Sequence, residues 1–568
     1  MLSINIRKIK IALILLFLVP VMKVGYLQLV KGKYFSKIAE EQQEKVLTIR
    51  GKRGDILDRW GRVLAMDRNV YSIYANPRIV RDKEKVAREL ECILGISYEE
   101  IMEKLCRNCY FVWLKRGITA KAVVESIKKF RGLGVKVERR RIYPQGELAC
   151  HLLGAVDIDN NGIAGLELFY DEKLRGKSGY ILTLGDGRNF YLAGFSTDAV
   201  PPRNGDTLIL TIDQVIQHYA EQIAEKLYNK YQARRVSIIV MDPYNGEILA
   251  LANRPGYDPN CITSEDIKYM KNFAISEMFE PGSVFKVIAA AALLDQGLVR
   301  LGDKIYCEHG IYKIGRRTLH DYHKYGWLDF RSVVVHSSNI GIAKFCSRIP
   351  DEVFYRYLKL FGIGEKTGID LPGETSGILR SPENWTDYSK ISVAIGQEVA
   401  VNTVHLAKMM SIIANGGFDV KPHVVREMKD AQGMRIWRFN YQPRRLLKYK
   451  TVVKLKQILQ RVVEEGTGKW ARSRVYTAGG KTGTAQKADP VNGGYAPGKY
   501  TATFAGFIPA DNPRMVIVVT VDEPRGSHFG GTVCAPAFKE LGERSLVYMN
   551  LTQERRVKNE SERNFVWN

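Results

Sequence analysis

The stretch from Glu280 to Asp295 reads EPGSVFKVIAAAALLD, and it is the part of the sequence that determines the fold class. The Pro-Gly pair at its start ends one element, and the apolar run after it predicts a helix without a polar face before Asp295. Ser283 opens this helix, and Lys286 follows one turn later. A helix N-terminus favours negative charge, and apolar surroundings lower the pKa of a lysine. The pattern therefore favours a serine nucleophile with a neutral lysine base over a capping serine with a surface lysine.

A second motif lies at Ser337 and Asn339, in a polar interruption between two apolar segments that predict helices. A hydroxyl at Ser337 is suited to pass a proton to a leaving amine, and the Asn339 amide is suited to hold a substrate amide and the lysine. Taken alone, this S-x-N motif is more typical of a helix cap than of a catalytic site. Its position downstream of Ser283 favours the catalytic interpretation.

A third motif, Lys481-Thr482-Gly483-Thr484, follows two glycines and leads into a predicted strand. Strand alternation puts Thr482 and Thr484 on one face, where their hydroxyls suit a peptide carboxylate. Gly483 leaves room for a substrate to lie alongside as an added strand. The N–H groups of Thr484 and Ser283 are candidates for an oxyanion hole. The alternative is a glycine-rich turn with a solvated lysine.

Each motif also occurs elsewhere in the chain, so a match alone carries little information. S-x-x-K recurs at Ser126–Lys129 in a charged helical segment, and S-x-N recurs at Ser3–Asn5 ahead of the apolar N-terminal segment. K-T-G recurs at Lys366–Gly368 in a glycine-rich loop, and K-S-G occurs at Lys177–Gly179. Helix position, apolar setting and order along the chain select the set that begins with Ser283. In that order the three motifs define serine acyltransferases that react with penicillin.

The composition is that of a folded protein with more than one domain. The chain has 568 residues, 45% of them hydrophobic and 26% charged, and a length of ~100–200 residues per domain predicts about three units. The net charge of +24 favours anionic surroundings, but no nucleic-acid-binding signature accompanies it. Among the eight Cys, Cys106 and Cys109 form a lone C-x-x-C. This arrangement favours reduced thiols over a Cys106–Cys109 disulfide, and it predicts no zinc site.

An apolar segment near the N-terminus predicts a membrane anchor. Residues 11–22 form an apolar run that contains Pro20, Lys23 interrupts it, and residues 24–30 continue its apolar character. A basic tail precedes the run, and no small-x-small cleavage site follows it. A signal anchor is therefore favoured over a cleaved signal peptide or a buried core helix, with Lys23 snorkelling or facing a partner. The basic tail predicts a cytoplasmic N-terminus, although lysines also follow the segment. A long C-terminal domain is translocated largely regardless of its charge.

The order of patterns along the chain predicts its domain organisation. The predicted segments are a cytoplasmic tail (1–10), a transmembrane anchor (11–30), a stalk and irregular α+β pedestal (31–200), a second α+β domain (201–550) and a charged tail (551–568). In the second domain, strands at 236–241 and 248–252 and strands at 501–508 and 514–521 enclose a helical region. We therefore expect one central antiparallel sheet flanked by helices.

Smaller elements are also predicted on both sides of the boundary near residue 200. Residues 31–45 are typical of a polar helical stalk, and strand alternation is seen at 46–49, 63–65 and 70–74. Past the boundary, residues 208–212 predict a strand, and residues 214–231 have helical periodicity.

The wider sequence resembles the class B penicillin-binding proteins. The segment Arg53–Ala65, RGDILDRWGRVLA, looks like the family's R-G-x-I-x-D-R-x-G-x-x-L-A signature. Tyr143-Pro144 and Gly165-Leu166-Glu167 resemble its later pedestal motifs. Thr211-Ile212-Asp213 and Gly246–Ala250 resemble the start of its transpeptidase domain. The resemblance covers essentially residues 1–545, and the FAGFIP and FGG segments at 504–509 and 529–531 are similar to the septal, cell-division branch.

The resemblance implies a fold, an activity and partners. The fold is one transmembrane helix, a pedestal of the penicillin-binding-protein dimerisation type and a transpeptidase domain like the serine β-lactamases. The activity is D,D-transpeptidation of peptidoglycan stem peptides that end in D-Ala-D-Ala, with β-lactams as inhibitors and with neither cofactor nor metal. A SEDS-type membrane glycosyltransferase and other division proteins are the implied partners, since the chain has no E-D-x-x-F-x-x-H motif of its own.

Two alternatives stay open at this stage. A β-lactam hydrolase or β-lactam sensor uses the same three motifs, but such proteins lack a module like residues 46–200. A catalytically silent scaffold of the division complex would have no need of intact motif residues at Ser283, Lys286 and Lys481.

Overall fold

The structure is a computed structural model that describes residues 6–36, 44–185, 191–315, 317–489 and 493–565. The chain forms two compact units. The first comprises Met1–Lys52 and Gly176–Gly205, and the second comprises Arg53–Arg175 and Asp206–Asn568.

The first unit begins with the apolar N-terminal segment in helical form. Helix Ile6–Gly25 has Pro20 inside it and continues as a π-helical turn, Tyr26–Val30. Within this run, Ile9–Val30 is long and apolar enough to cross a membrane, and it is the one such helix among the described residues. The predicted anchor at 11–30 falls entirely within it.

The rest of the first unit is a three-stranded antiparallel sheet. Strand Gly179–Gly185 lies between Glu44–Ile49 and Tyr191–Val200. The predicted strand at 46–49 is confirmed. Among the described residues of the predicted helical stalk at 31–45, residues 32–36 are helical and Glu44 already belongs to the strand. Residues 37–43 of that stalk lie outside the described residues.

In the second unit, the long strand Val63–Ala75 organises the part before residue 176. It pairs with Ile56–Leu57, Val112–Ile118 and Leu133–Ile142. The predicted strands at 63–65 and 70–74 are parts of this one strand, because the residues between them continue the pairing with residues 139–142. Leu90, Ile101 and other apolar residues of the following helices bury one face of this sheet.

This sheet continues into segments from much later in the chain. Ile56–Leu57 pairs in parallel with Thr207–Leu210, which pairs with Val425–Lys429, and Arg435–Arg438 forms the last strand. The predicted strand at 208–212 is therefore present but ends at Leu210. Segments from both sides of the boundary expected near residue 200 thus share one sheet.

A five-stranded antiparallel sheet forms the centre of the second unit. Its order is Ile248–Arg254, Arg235–Met241, Met515–Asp522, Tyr495–Ile508 and Gly479–Ala488. This arrangement confirms the expected central antiparallel sheet made from early and late strands. The K-T-G segment is part of the last strand, at an edge of the sheet.

Each face of the central sheet is covered by helices, so that two hydrophobic cores form. One face packs against helices Lys286–Asp295, Thr403–Ala414 and Tyr449–Glu464. The other face packs against Gln214–Tyr231, which was predicted with the same bounds, and against the start of Ala535–Phe565. All residues of Lys286–Asp295 are buried, as expected for a helix that is apolar all round.

The remaining elements of the second unit are shorter. The other α-helices are Lys83–Leu94, Tyr98–Cys106, Lys121–Ile127, Cys150–Leu153, Gly165–Phe169, Asp171–Arg175, Phe273–Ser276, Phe330–Val335, Asn339–Cys346, Asp351–Leu360, Ser389–Ala394 and Gly530–Val533. The 3₁₀ helices are Asp266–Tyr269, Gly282–Phe285, Glu308–Gly310, Pro382–Asn384 and Lys469–Ala471. The two-stranded ladders are Ala155–Val156 with Gly162–Ala164, Lys304–Tyr306 with Trp327–Asp329, and Ile311–Ile314 with Arg317–His320.

The C-terminal segment of the chain forms a long helix. Helix Ala535–Phe565 continues through most of the predicted charged tail at 551–568, of which residues 566–568 lie outside the described residues.

All eight cysteines lie within the described residues and carry free thiols, including Cys106 and Cys109.

Candidate active site

The predicted nucleophile, Ser283, lies in a tight turn at the start of the buried helix. The turn is a 3₁₀ helix, Gly282–Phe285, and the α-helix proper begins at Lys286, so the predicted helix starts with a tighter turn than expected. The N–H of Gly282 donates to the carbonyl of Gly396 over 3.1 Å. A Cβ on Gly396 would lie 2.1 Å from the Gly282 oxygen, so this close contact requires glycine. Ser283 itself is half-buried.

Lys286 is fully buried beneath this turn, and its amine contacts the S-x-N motif. Its Nζ donates to the Ser337 carbonyl over 2.5 Å, to the Asn339 Oδ1 over 2.7 Å and to the Ser337 Oγ over 3.2 Å. Burial lowers the pKa of Lys286 from 10.5 to about 7, against the opposing effect of the Asp321 carboxylate. A substantial fraction of this lysine is therefore neutral near pH 7, as a base requires.

The S-x-N motif occupies the turn between helices Phe330–Val335 and Asn339–Cys346. Ser337 has a φ of 60°, which is the left-handed region and is uncommon for a residue with a side chain. This conformation places the carbonyl and the hydroxyl of Ser337 next to the same lysine amine. The following residue, Ser338, accepts the N–H of Gly341 and caps the second helix.

Lys481 of the K-T-G motif approaches the same hydroxyl from the edge strand of the central sheet. Its Nζ donates to Ser337 Oγ over 2.9 Å and to the Thr482 carbonyl over 3.2 Å, and its side chain is fully buried. Burial and the neighbouring Lys286 ammonium hold the pKa of Lys481 well below its usual value. The Ser337 hydroxyl therefore lies between two buried lysine amines.

The strand that carries Lys481 lies directly against the nucleophile turn. A Cβ on Gly483 would lie 2.7 Å from the Pro281 carbonyl and from the Val284 side chain, and one on Gly282 would lie 2.9 Å from the Thr484 carbonyl. The glycine in K-T-G thus permits a close approach of strand and turn, in addition to the predicted room for an added strand. The consequence is that Ser283 lies beside the strand at residues 483–484.

The two threonines of the motif already have partners within the protein. Thr482 Oγ1 shares a hydrogen bond of 2.8 Å with Thr467 Oγ1, and Thr484 Oγ1 accepts the N–H of Gly530 over 3.1 Å. Thr482 is almost fully buried and Thr484 is half-buried. These bonds fix the orientation of both side chains along the cleft edge of the strand.

The structure thus brings all the predicted site residues together, with one distinction. Lys286, Ser337, Asn339 and Lys481 form one hydrogen-bonded cluster. Ser283 lies one turn before Lys286 and next to this cluster. Its hydroxyl makes no hydrogen bond with the described residues. The predicted contact between Ser283 and the Lys286 amine stays a prediction.

No sequence pattern identified Asp321, whose carboxylate accepts hydrogen bonds from the S-x-N turn. Its Oδ1 accepts the N–H of Asn339 over 2.5 Å, and its Oδ2 accepts the hydroxyl of Ser338 over 2.5 Å. Asp321 lies in a polar stretch, HDYHKYG, at 320–326 that matches none of the three motifs. Only the fold brings it against the turn, so no local pattern identified it.

Two of the alternative motif copies lie in the settings that their sequence context predicts, whereas Ser3–Asn5 falls outside the described residues. Ser126 is half-buried on a surface helix, and its hydroxyl donates to the Ala122 carbonyl over 3.0 Å within the same helix. Lys129 is exposed and pairs with Glu89. Lys366 and Gly368 lie in a loop held by hydrogen bonds from Thr367 and Gly368 to Glu374.

The other segments that resembled family motifs form buried polar networks. Arg53 is 1% exposed and pairs with Glu167 over 2.6 Å and with Asp171 over 2.7 Å. Glu167, from the G-L-E motif, also pairs with Arg141 over 2.6 Å. Because buried charges require partners, these residues constrain one another strongly. Their role in this structure is to join distant segments rather than to take part in chemistry.

A half-buried serine, two buried lysines and an edge strand beside them form the arrangement that the three motifs predict for a serine acyltransferase. Comparisons with known proteins agree. The penicillin-binding protein transpeptidase domain matches residues 236–543, and the penicillin-binding protein dimerisation domain matches residues 48–210. The chain belongs to the penicillin-binding protein family.

Individual relatives cover nearly the whole chain. Stage V sporulation protein D of Bacillus subtilis is 31% identical over 98% of this chain and 87% of its own length. The probable peptidoglycan D,D-transpeptidase PenA of Neisseria meningitidis is 32% identical over 93% of this chain and 90% of its own length. Among solved structures, penicillin-binding protein 3 of Mycobacterium tuberculosis complexed with aztreonam has a TM-score of 0.70 and 27% identity, covering 89% of this chain and 97% of that one.

Proposed function

We propose that this protein is a membrane-anchored D,D-transpeptidase that cross-links peptidoglycan stem peptides through an acyl-enzyme on Ser283. The observation that carries the proposal is the buried cluster beneath Ser283, in which the amines of Lys286 and Lys481 both contact the Ser337 hydroxyl. Such a cluster supports acyl transfer because it holds a neutral base and a proton relay next to a serine. The relatives named as peptidoglycan D,D-transpeptidases support the choice of substrate.

In the acylation step, the neutral amine of Lys286 takes the proton of the Ser283 hydroxyl. The Ser283 oxygen attacks the carbonyl of the penultimate D-Ala and forms a tetrahedral intermediate. The N–H groups of Ser283 and Thr484 hold its oxyanion. The close contact of the nucleophile turn with the strand at Gly483 supports this assignment, because both donors then lie on one side of the cleft.

The leaving group and the acceptor use the same proton path in opposite directions. Ser337 passes a proton to the nitrogen of the terminal D-Ala, and the C–N bond breaks while Lys286 gives the proton that it took from Ser283 to the Ser337 oxygen. An amine of a second stem peptide then attacks the acyl ester and loses its proton to Lys286. The bond between the acyl carbon and the Ser283 oxygen breaks, and Lys286 returns the proton to that oxygen, so that the enzyme is regenerated.

Substrate binding is assigned to the edge strand and to Asn339. A stem peptide that adds to the edge at residues 481–484 gains backbone hydrogen bonds. The Thr482 and Thr484 hydroxyls lie near its terminal carboxylate, and the Lys481 amine is a further hydrogen-bond donor on that side of the cleft. The Asn339 amide holds the substrate amide as well as Lys286, whose amine it already accepts over 2.7 Å.

Labelling with fluorescent penicillin tests the nucleophile. Wild type is expected to be labelled covalently, and Ser283→Ala is expected to lose labelling because the acyl ester has no oxygen to form on. Ser126→Ala is the matched control, since Ser126 has the same S-x-x-K pattern on an exposed helix, and it is expected to be labelled like wild type. Labelling of Ser283→Ala at the wild-type level would refute the assignment.

The same reagent separates the alternatives. A β-lactam hydrolase would release the label rapidly in steady turnover, whereas a transpeptidase is expected to retain it. A catalytically silent scaffold would not be labelled at all. The module before residue 176, which matches the dimerisation domain, favours the transpeptidase over a hydrolase or sensor.

The cellular setting is also part of the proposal. The helix over Ile9–Val30 supports a single-pass anchor in the cytoplasmic membrane, with the N-terminus inside and the catalytic domain outside. The likeness to a protein of Mesostigma viride named as a peptidoglycan D,D-transpeptidase FtsI homologue supports a role in septal wall synthesis. A SEDS-type glycosyltransferase and other division proteins are the proposed partners. Protease added to intact spheroplasts is expected to digest the catalytic domain, and protection of that domain would contradict the orientation.

A further inference from the structure

Asp321 lies next to the catalytic cluster without belonging to any of its motifs. It follows strand Arg317–His320, and its N–H donates to the Gly310 carbonyl over 3.0 Å, which holds its backbone in place. Its carboxylate turns toward the start of helix Asn339–Cys346. There it accepts three hydrogen bonds, from the N–H of Asn339 over 2.5 Å, the N–H of Ile340 over 3.1 Å and the hydroxyl of Ser338 over 2.5 Å.

These bonds determine how the S-x-N turn is presented to the lysines. The first N–H groups of a helix have no partner within the helix, and here a carboxylate from a distant segment accepts two of them. The adjacent carbonyl of His320 accepts the Asn339 amide N–H over 2.8 Å and so aims Oδ1 of Asn339 at Lys286. The segment His320–Asp321 therefore orients both the backbone and the side chain of Asn339.

The charge of Asp321 also reaches Lys286. The charged groups that face the Lys286 amine among the described residues are Asp321 and Lys481, while its direct partners Ser337 and Asn339 are neutral. Asp321 favours the protonated form of Lys286, and Lys481, when charged, disfavours it. The carboxylate thus opposes the effect of burial on the pKa of Lys286, which is lowered to about 7.

We propose that Asp321 is a positioning residue for acyl transfer, which orients the Ser337–Asn339 turn and sets the pH range in which Lys286 acts as a base. This inference rests on the proposed function. It adds a role for a side chain that touches neither the substrate nor the reacting serine. The role has two separable parts, a geometric one in the hydrogen bonds and an electrostatic one in the charge.

The test measures the second-order rate of acylation by fluorescent penicillin as a function of pH. The wild-type rate is expected to rise with pH as Lys286 loses its proton. Asp321→Asn keeps the shape of the side chain but removes the charge. The rising limb of its pH–rate profile is therefore expected to lie about 1 pH unit lower than that of wild type. Asp321→Glu keeps the charge but displaces it, so its limb is expected to stay in place while the maximum rate falls.

Asp329→Asn is the matched control. Asp329 also accepts a helix-start N–H, that of Ser332 over 2.7 Å, but it caps the preceding helix and does not act on Lys286. Its limb is expected to coincide with that of wild type. If the rising limb of the pH–rate profile of Asp321→Asn coincides with that of wild type, the proposal is overturned, whatever the maximum rate. A side chain with a merely structural role would lower the rate equally at every pH and would leave the limb in place. Absence of labelling in wild type would instead refute the proposed function.

Discussion

At the scale of single residues, the decisive feature is that two lysines are buried side by side. Lys286 and Lys481 are both fully buried, and the amine of each contacts Ser337 Oγ. Burial disfavours the charged form of each amine, and each charge also disfavours the other. The pKa of Lys286 falls to about 7, while that of Lys481 is held well below its usual value. The cluster thus keeps at least one amine neutral near pH 7.

This arrangement predicts the pH dependence of acylation. Because Lys286 acts in its neutral form and its pKa is about 7, the acylation rate is expected to rise as pH increases through about 7 and to level off above it. Lys286→Ala removes the base and is expected to lower the rate by about 10²-fold or more. Stopped-flow acylation between pH 5 and 9 measures both effects.

Lys129→Ala supplies the control for this prediction. Lys129 belongs to the second S-x-x-K copy, and its side chain is 59% exposed. The variant is expected to acylate like wild type. A Lys286→Ala protein that keeps its thermal unfolding midpoint and also keeps its acylation rate would show that another group is the base.

At the scale of elements, the site depends on three close approaches of backbone. The nucleophile turn contacts the loop at Gly396 on one side and the strand at Gly483 on the other, and Gly530 packs behind that strand with 2.3 Å between an added Cβ and the Gly483 oxygen. Each contact leaves no space for a side chain. Glycine is required at these positions because two backbones meet, and the consequence is a rigid cleft between turn and strand.

Substitution at Gly483 tests this contact. Gly483→Ala places a Cβ 2.7 Å from the Pro281 carbonyl, so the strand is expected to move away from Ser283. Acylation is expected to fall by about 10-fold or more, because misplacement of reacting groups by about 1 Å is costly. Labelling kinetics measure the fall, and circular dichroism checks that the protein is folded.

Gly302→Ala is the control for the glycine contact. A Cβ at Gly302 meets nothing within 4 Å, and this residue lies in a turn away from the site. Its acylation rate is expected to equal that of wild type. If Gly483→Ala also acylates at the wild-type rate, the close approach of strand and turn is not needed for the chemistry.

At the scale of the whole molecule, the second unit is held together by pairings between segments far apart in sequence. Strand Thr207–Leu210 lies between Ile56–Leu57 and Val425–Lys429 in one sheet. Close to it, Glu247 accepts two hydrogen bonds of 2.8 Å from Arg426 and one of 3.1 Å from Arg59. The module before residue 176 and the sheet-and-helix core are therefore parts of one compact unit.

This organisation predicts that the site does not need the N-terminal segment. A protein lacking residues 1–30 removes the helix over Ile9–Val30 but no residue of the second unit. It is expected to leave the membrane fraction on cell fractionation and to be labelled by fluorescent penicillin as strongly as the full chain. Loss of labelling in a folded truncated protein would show that the first unit contributes to the site.

Much of the fold was predictable because it depends on local patterns. Helix Gln214–Tyr231 has amphipathic periodicity and a capping Asp213, and it was predicted with the bounds that the structure has. The strands around 236–241 and 514–521 are apolar runs next to clear turns. The polar residues within Val63–Ala75 interrupted the expected alternation, and pairing with residues 139–142 overrode that signal.

The sequence by itself determined which residues form the site, since the three motifs, their order and the apolar setting of Ser283 are local properties. Only the tertiary structure decided how those residues act on one another. The depressed pKa of Lys481 needs Lys286 from another element beside it, and the orientation of Asn339 needs the carboxylate of Asp321 from a separate segment. Burial and contacts between distant segments exist only once the chain is folded, so the spacing of residues along the sequence does not reveal them.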